Sequence, residues 1–227
     1  MYSSLKASIF PGNLLKRTGS LGAFVKDNLT NDAGAVYSAH IHLDLPSENP
    51  TTTLSTYSEI TDTIFESILY KRHSLLNQID AAFGVFQINN TPIELGLRSN
   101  NILRGVAEPN VGNTLFMQGI GSCGRLRKTK VVDLYKEVEL SASIYGSMKS
   151  TGVLLGPTEP DTKNTIFCSP GDSGAIWYNE SFEAVGMHVA GHRCDKTNNI
   201  LPFMYPITKV LEALDVTMLT PQDVANL

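Results

Sequence analysis

An all-β fold is predicted by three features of this 227-residue sequence. Short β-branched and aromatic runs recur along it, clusters of Gly, Asn, Pro and Asp separate them, and helical periodicity is confined to one or two segments. Many short strands over more than 200 residues point to a barrel or sandwich architecture. The predicted strands are Leu21–Val25, Ala35–Ile41, Ala81–Ile88, Thr114–Gln118, Lys130–Leu134, Val138–Ile144, Gly174–Tyr178 and Val185–Val189. Turns are signalled at Asn31–Asp32, Asn89–Asn90, Pro109–Asn110 and Pro170–Gly171–Asp172. After Pro206, apolar residues at Ile207, Val210, Leu211 and Leu214 follow the spacing of an amphipathic helix. The stretch Ile60–Tyr70 fits a helical face and a strand alternation equally well.

Composition narrows the function classes. Hydrophobic residues make up 42% and charged residues 18%, a globular balance that excludes a disordered, highly charged chain. The formal net charge of −4, without a basic run, gives no electrostatic reason for nucleic-acid binding. No apolar run approaches the roughly 18 residues that span a bilayer, so no membrane segment is expected. The first residues, Met1–Gly12, lack the apolar core of a secretory signal, and a cytoplasmic location is the expectation. Three cysteines cannot build a disulfide scaffold. The sequons at Asn28, Asn89 and Asn179 imply nothing without secretion.

The polar stretch Leu97–Asn113 divides the chain into halves of comparable size, each long enough for about six strands. The expected organisation is an N-terminal extension (1–17), a first β unit (18–100), a linker (101–113), a second β unit (114–205) and a C-terminal helix and tail (206–227).

The most informative stretch is Ser169-Pro170-Gly171-Asp172-Ser173-Gly174-Ala175-Ile176-Trp177. A serine between glycines, ahead of an apolar strand, places a hydroxyl on a tight turn where a second backbone can approach closely. Such a turn also aims the N–H groups of Gly171 and Ser173 at one point, as an oxyanion hole requires. A given tetrapeptide such as Gly-Asp-Ser-Gly arises by chance in roughly one chain of this length in a hundred, or fewer. The competing reading is an ordinary β-turn.

A serine hydroxyl needs a base, usually a histidine held by a carboxylate. Of five histidines, His40 closes the apolar run Ala35–Ala39, and Asp80 opens the run Ala81–Phe86. A carboxylate at the mouth of an apolar strand requires a partner, and an imidazole N–H is a suitable one. His42 is the rival base. His40-x-His42 would share one face of a strand and could seed a metal site, but no third ligand is evident, so no metal is expected. His73, beside Lys71 and Arg72, reads as solvated.

With these residues in place, the sequence resembles the chymotrypsin/trypsin-like serine peptidases, whose triad runs His, Asp, Ser. His40 and Asp80 stand 40 residues apart, Asp80 and Ser173 stand 93 apart, and Gly171-Asp172-Ser173-Gly174 is identical to the family's nucleophile motif. Val36-Tyr37-Ser38-Ala39-His40 and Asp80-Ala81-Ala82 are similar to its histidine and aspartate motifs. The resemblance also takes in Thr18–Val25 and the terminal helix. It implies two six-stranded antiparallel β-barrels, with His40 and Asp80 in the first and Ser173 in the second. It further implies a serine endopeptidase with Ser173 as nucleophile, His40 as general base and Asp80 as the orienting carboxylate. Gly171 and Ser173 N–H groups would form the oxyanion hole, the substrate would be a polypeptide, and no cofactor would be required.

Gly186-Met187-His188-Val189-Ala190-Gly191 is similar to the pocket strand of picornavirus chymotrypsin-like cysteine proteases. That likeness implies His188 as a selector of Gln or Glu at the residue before the scissile bond, with Val189, Ala190 and Gly191 binding the peptide backbone. The alternative is a histidine satisfied within the core. Phe167 stands six residues before Ser173, where a trypsin-like pocket would need Asp, which disfavours Arg or Lys specificity.

Two departures accompany the resemblance: no cysteine adjoins His40, and no Ile-Val-Gly-Gly-like start follows a basic cleavage site to pair with Asp172. Cys168 and Cys194 flank the pocket as one family disulfide does, and in a reducing cytosol they would stay thiols. A catalytically inactive peptide-binding module and an esterase using the same triad are the alternative functions.

Overall fold

The computed structural model describes residues 5–9, 18–41, 53–58, 63–74, 78–86, 103–119, 121–123, 125–142, 146–159, 162–220 and 222–223. The first half contributes strands β1 (Leu5–Ile9), β2 (Thr18–Ser20), β3 (Phe24–Asp27), β4 (Ala33–Tyr37), β5 (Thr53–Ser58), β6 (Thr63–His73) and β7 (Ala82–Phe86). The second contributes β8 (Gly105–Val106), β9 (Thr114–Met117), β10 (Arg127–Ala142), β11 (Gly146–Gly156), β12 (Ile176–Tyr178), β13 (Glu183–Cys194) and β14 (Asn199–Pro206). Helix α1 (Ile207–Ala213) and strand β15 (Val216–Met218) follow. The all-β expectation with a C-terminal helix holds.

The strands form two sheets. The first runs β15-β3-β4-β7-β6-β5-β1-β2 and the second β12-β9-β10-β11-β14-β13-β8. In the second sheet β12 also pairs with β13, so six antiparallel strands close a circuit. The short β8, from the segment read as a linker, adds to β13 in parallel. The first sheet takes in β1, from the segment read as an N-terminal extension, and β15 from the C-terminal tail, which pairs with β3.

Local chemistry explains where strands stop. Between β3 and β4, Asn31 takes a positive φ of 63° while the Asp27 carboxylate accepts the N–H of Leu29 at 2.8 Å, closing the turn signalled at Asn31–Asp32. Helix α1 buries Ile207, Val210 and Leu211, and it ends at Leu214 followed by Asp215 in the left-handed region.

Several boundaries differ from expectation. The run Ala35–Ile41 leaves strand geometry after Tyr37 and becomes a 3₁₀ turn, Ala39–Ile41, in which the N–H of Ile41 bonds the Ser38 carbonyl at 3.2 Å. The end of the predicted strand Val138–Ile144 lies outside the described residues, and the segments Lys130–Leu134 and Val138–Ala142 merge into β10. Its register slips on either side of Asp133, whose carboxylate accepts the N–H of Tyr135, so the alternation is broken while the strand continues. The described part of Ile60–Tyr70, from Thr63 onward, is strand, the start of β6, which pairs with β5 and β7. β14 lies outside the predicted strands: it carries Pro202 and Pro206, yet it is buried from Leu201 onward. The turn signal at Asn89–Asn90 lies outside the described residues.

One apolar cluster fills the second sheet around Leu115, Leu155 and Trp177. A second is shared: Val36 and Phe83 of the first sheet, Met187 and Phe203 of the second, and Val210 of α1 pack together. This common core fixes the sheets against each other and defines the seam on which the site lies.

Candidate active site

The segment carrying Ser173 is two consecutive turns. The N–H of Asp172 bonds the Ser169 carbonyl at 3.0 Å, with Pro170 second and Gly171 third at φ 98°. The N–H of Ala175 then bonds the Asp172 carbonyl at 2.9 Å, with Ser173 second and Gly174 third at φ 94°. Both glycines occupy positions where a side chain would be strained. A Cβ on Gly174 would also lie 2.1 Å from the Ser20 carbonyl oxygen. The first sheet meets the turn there: the N–H of Ser20 bonds the Ser173 carbonyl at 2.8 Å, and the Ser20 hydroxyl bonds the Gly171 carbonyl at 2.9 Å. The Ser173 hydroxyl donates to the Val189 carbonyl at 3.2 Å. Among the described residues, no internal acceptor is recorded for the N–H of Gly171 or of Ser173.

Asp172 is fully buried. Its carboxylate accepts the N–H of Ser122 at 2.8 Å, the hydroxyl of Ser122 at 2.6 Å and the N–H of Ser169 at 2.9 Å. Arg127 Nε donates to the same Ser122 hydroxyl at 2.9 Å. These groups form the partner set for Asp172 that the sequence left unassigned. No motif marks Ser122, because its role exists only once β9 and β10 bring it beneath the turn.

Asp80 lies two residues before β7 and is buried. One carboxylate oxygen accepts the main-chain N–H of His40 at 2.8 Å, and the other pairs with His40 Nδ1. The 3₁₀ turn makes this two-point contact possible by presenting the N–H and ring of His40 on one side. The His40 side chain keeps about 30% exposure, enough to meet a bound molecule. The preceding Ser38 hydroxyl donates to the His188 carbonyl at 3.3 Å, tying this turn to the second sheet. Gly19 lies between the two parts of the site, since a Cβ there would collide with the Ile41 side chain and lie 3.2 Å from the Ser173 carbonyl oxygen. His42, the rival base, lies outside the described residues.

His188 is 2% exposed, with its main chain paired to Ala175 and Gly174 and its ring edge-on to Trp177. Among the described residues no hydrogen-bond partner reaches its buried Nδ1. Burial pushes the imidazole down from 6.5 to about 4; the Asp172 charge opposes this and His40 reinforces it. His188 is therefore neutral at neutral pH. Val189 sits in a bulge of β13, while Ala190 and Gly191 pair with Phe203 and Pro202 of β14. Across from them the N–H of Phe167 bonds the Ile200 carbonyl at 3.0 Å, and a Cβ on Gly191 would meet Ile200 at 2.7 Å and Cys168 Sγ at 3.2 Å. All three cysteines are free thiols. Burial and the Asp172 charge push Cys168 up to about 12, with Arg127 opposing. Hydrogen bonds from Thr197 hold Cys194 below the ordinary thiol value.

No protein-family model and no curated protein sequence matches this chain. Its fold matches solved structures along nearly the whole length. A glutamic acid specific serine protease that utilises a histidine triad in substrate binding superposes with a TM-score of 0.62 at 16% identity, covering 94% of this chain and 98% of that one. Thermobifida fusca Protease A gives 0.60 at 16% identity, over 94% and 96%. Cellulomonas bogoriensis chymotrypsin gives 0.54 at 17% identity, over 88% and 90%. The chain therefore has the fold of the chymotrypsin-like serine proteases.

Proposed function

We propose that this protein is a serine endopeptidase that cleaves peptide bonds through an acyl-enzyme. Ser173 is the nucleophile, His40 the general base and then acid, and Asp80 the carboxylate that orients the imidazole. The observation that carries this reading is the two-point contact of the Asp80 carboxylate with the main-chain N–H and ring Nδ1 of His40. With Nδ1 engaged by a buried carboxylate, proton transfer falls to Nε2, and the imidazolium formed during reaction is stabilised. Residues 18–100 supply base and carboxylate, residues 114–205 the nucleophile, and 101–113 the connection.

The reaction begins with Ser173 Oγ adding to a peptide carbonyl as His40 takes the hydroxyl proton. The oxyanion is received by the N–H groups of Gly171 and Ser173. His40 then protonates the leaving amine, and water activated by the same imidazole hydrolyses the ester. The peptide adds as a strand along Val189, Ala190 and Gly191; among the described residues no strand pairs with the edge of that segment away from β14. Phe167 and His188 form the pocket for the side chain before the scissile bond. A neutral His188 offers a single N–H donor, which suits the amide oxygen of Gln without burying a charge. The glutamic acid specificity of one structural neighbour supports the wider choice of Gln or Glu.

Cleavage profiling of a peptide library tests the reading. Wild-type protein is expected to cut after Gln or Glu, and the Ser173→Ala variant to leave the library intact. A folded wild-type protein that cuts nothing overturns the endopeptidase reading. Cleavage indifferent to Gln and Glu removes His188 as selector.

A further inference from the structure

We infer that Ser150 and Tyr205, both in the second sheet, are positioning residues for Asp80 in the first. The inference rests on the proposed role of the His40–Asp80 pair. Two residues before Asp80, Gln78 holds φ at 59°, a left-handed conformation unfavourable for a residue with a side chain. Such a conformation persists only where surrounding contacts hold it. The contacts come from across the seam. The Ser150 hydroxyl of β11 donates to the Gln78 carbonyl at 2.6 Å. The Tyr205 hydroxyl of β14 lies 2.7 Å from Ser150 Oγ and 3.4 Å from the same carbonyl.

Ser150 and Tyr205 are 2% and 1% exposed, so water does not compete for these bonds. A chain from Tyr205 to Ser150 to the Gln78 carbonyl is the kind of buried series in which each bond strengthens the next. Burial pushes the Tyr205 hydroxyl up to about 12, with the Ser150 bond and the Asp80 main chain opposing, so it stays protonated and able to donate. On the other side of the loop, the Ser74 hydroxyl bonds the Ile79 carbonyl at 2.8 Å, and its N–H bonds the Ala81 carbonyl at 2.9 Å. Asp80 is thus set between a local clamp at Ser74 and a remote brace from the opposite sheet. Neither brace residue is in the proposed proton path. Their effect is to fix where the Asp80 carboxylate stands relative to His40, and catalysis is steep in such placement.

The test uses Ser150→Ala and Tyr205→Phe, the latter retaining the ring that packs edge-on against Phe203. Each variant, made in the full chain, is expected to lose about tenfold in kcat with KM changed less than about twofold. In an Asp80→Asn background the same changes are expected to cost less than about twofold further, because their effect runs through that carboxylate. An unchanged kcat, or equal losses in both backgrounds, overturns the inference. A second measurement is independent of turnover: the low-field NMR resonance of the proton between His40 and Asp80 should move in both variants. If the wild-type protein hydrolyses nothing, the proposed function fails while this resonance still decides the brace, and an unmoved resonance overturns it.

Discussion

The turn around Ser173 takes its backbone shape from its own residues, and long-range bonds from Ser20 and Ser122 are added to it. Pro170, Gly171 and Gly174 set its backbone, and Asp172 anchors it through the N–H groups of Ser169 and Ser122. The loop around Asp80 keeps only part of its restraint nearby, in Ser74. The rest arrives from Ser150 and Tyr205, 72 and 127 residues from Gln78 along the chain. Two elements of one proposed reaction therefore differ in how their backbone is set. The serine turn is set by residue types with intrinsic turn preferences, later joined by Ser20 and Ser122, and the aspartate loop, where Gln78 is left-handed, by pairings that exist only in the assembled fold. Backbone substitutions at Gly171 or Gly174 in the serine turn should damage stability and chemistry together, whereas changes behind the aspartate loop should act on chemistry first.

The largest expected effects come from the reacting groups themselves. Ser173→Ala and His40→Ala should each lower kcat by about a millionfold and Asp80→Asn by about ten-thousandfold, magnitudes known for such triads, in variants that melt like wild type. Steady-state kinetics on the double variants should show little further loss, because the three act as a unit. Retention of activity by Asp80→Asn would break the comparison, since the loop would then orient nothing.

Backbone substitutions sharpen the contrast. Gly174→Ala should destabilise the fold by about 3 kcal/mol in denaturant unfolding, because it combines a positive φ with a clash on the Ser20 carbonyl. Gln78→Gly should instead raise stability by up to about 1 kcal/mol, since glycine relieves the left-handed strain and Gln78 is exposed. Equal destabilisation by both changes would mean the two segments are held alike.

The same contrast governs what was legible in the sequence. Gly171-Asp172-Ser173-Gly174 announces its turn because Pro and Gly encode φ locally, and the burial of Asp80 follows from the apolar run behind it. The α1 stripe was legible for the same reason: Ile207, Val210 and Leu211 repeat at helical spacing. His40 was placed at a strand end, whereas a 3₁₀ turn carries it, because the apolar run Ala35–Ile41 continues past the last ladder residue. Ser122, Ser150 and Tyr205 carried no signal, since a lone serine or tyrosine acquires a role only from what the sheet sets opposite it. The strands β11 and β14 lie outside the predicted ones and carry polar or proline-containing patterns that tertiary burial overrides.

Smaller effects probe the ground between the two segments. His188 is buried neutral, with a folded value of about 4 against 6.5 when unfolded, so the unfolded chain takes up a proton first as pH falls. Its contribution is fully present above about pH 6.5 and is lost as pH drops toward 4, costing up to about 3 kcal/mol. Denaturant unfolding across that window should show the slope, and His188→Leu should flatten it. Iodoacetamide at neutral pH should modify Cys194 well before the buried Cys168, whose thiol is held protonated. Faster modification of Cys168, read by mass spectrometry, would mean that its surroundings open to solvent.

The central claim is that His40, held by Asp80, activates Ser173, and covalent labelling examines it most directly. A fluorophosphonate probe at neutral pH should form one adduct on wild-type protein, mapped to Ser173 by peptide mass spectrometry and slowed at least a thousandfold by His40→Ala. A folded wild-type protein that stays unlabelled, or one labelled at the same rate after the His40 substitution, would contradict it.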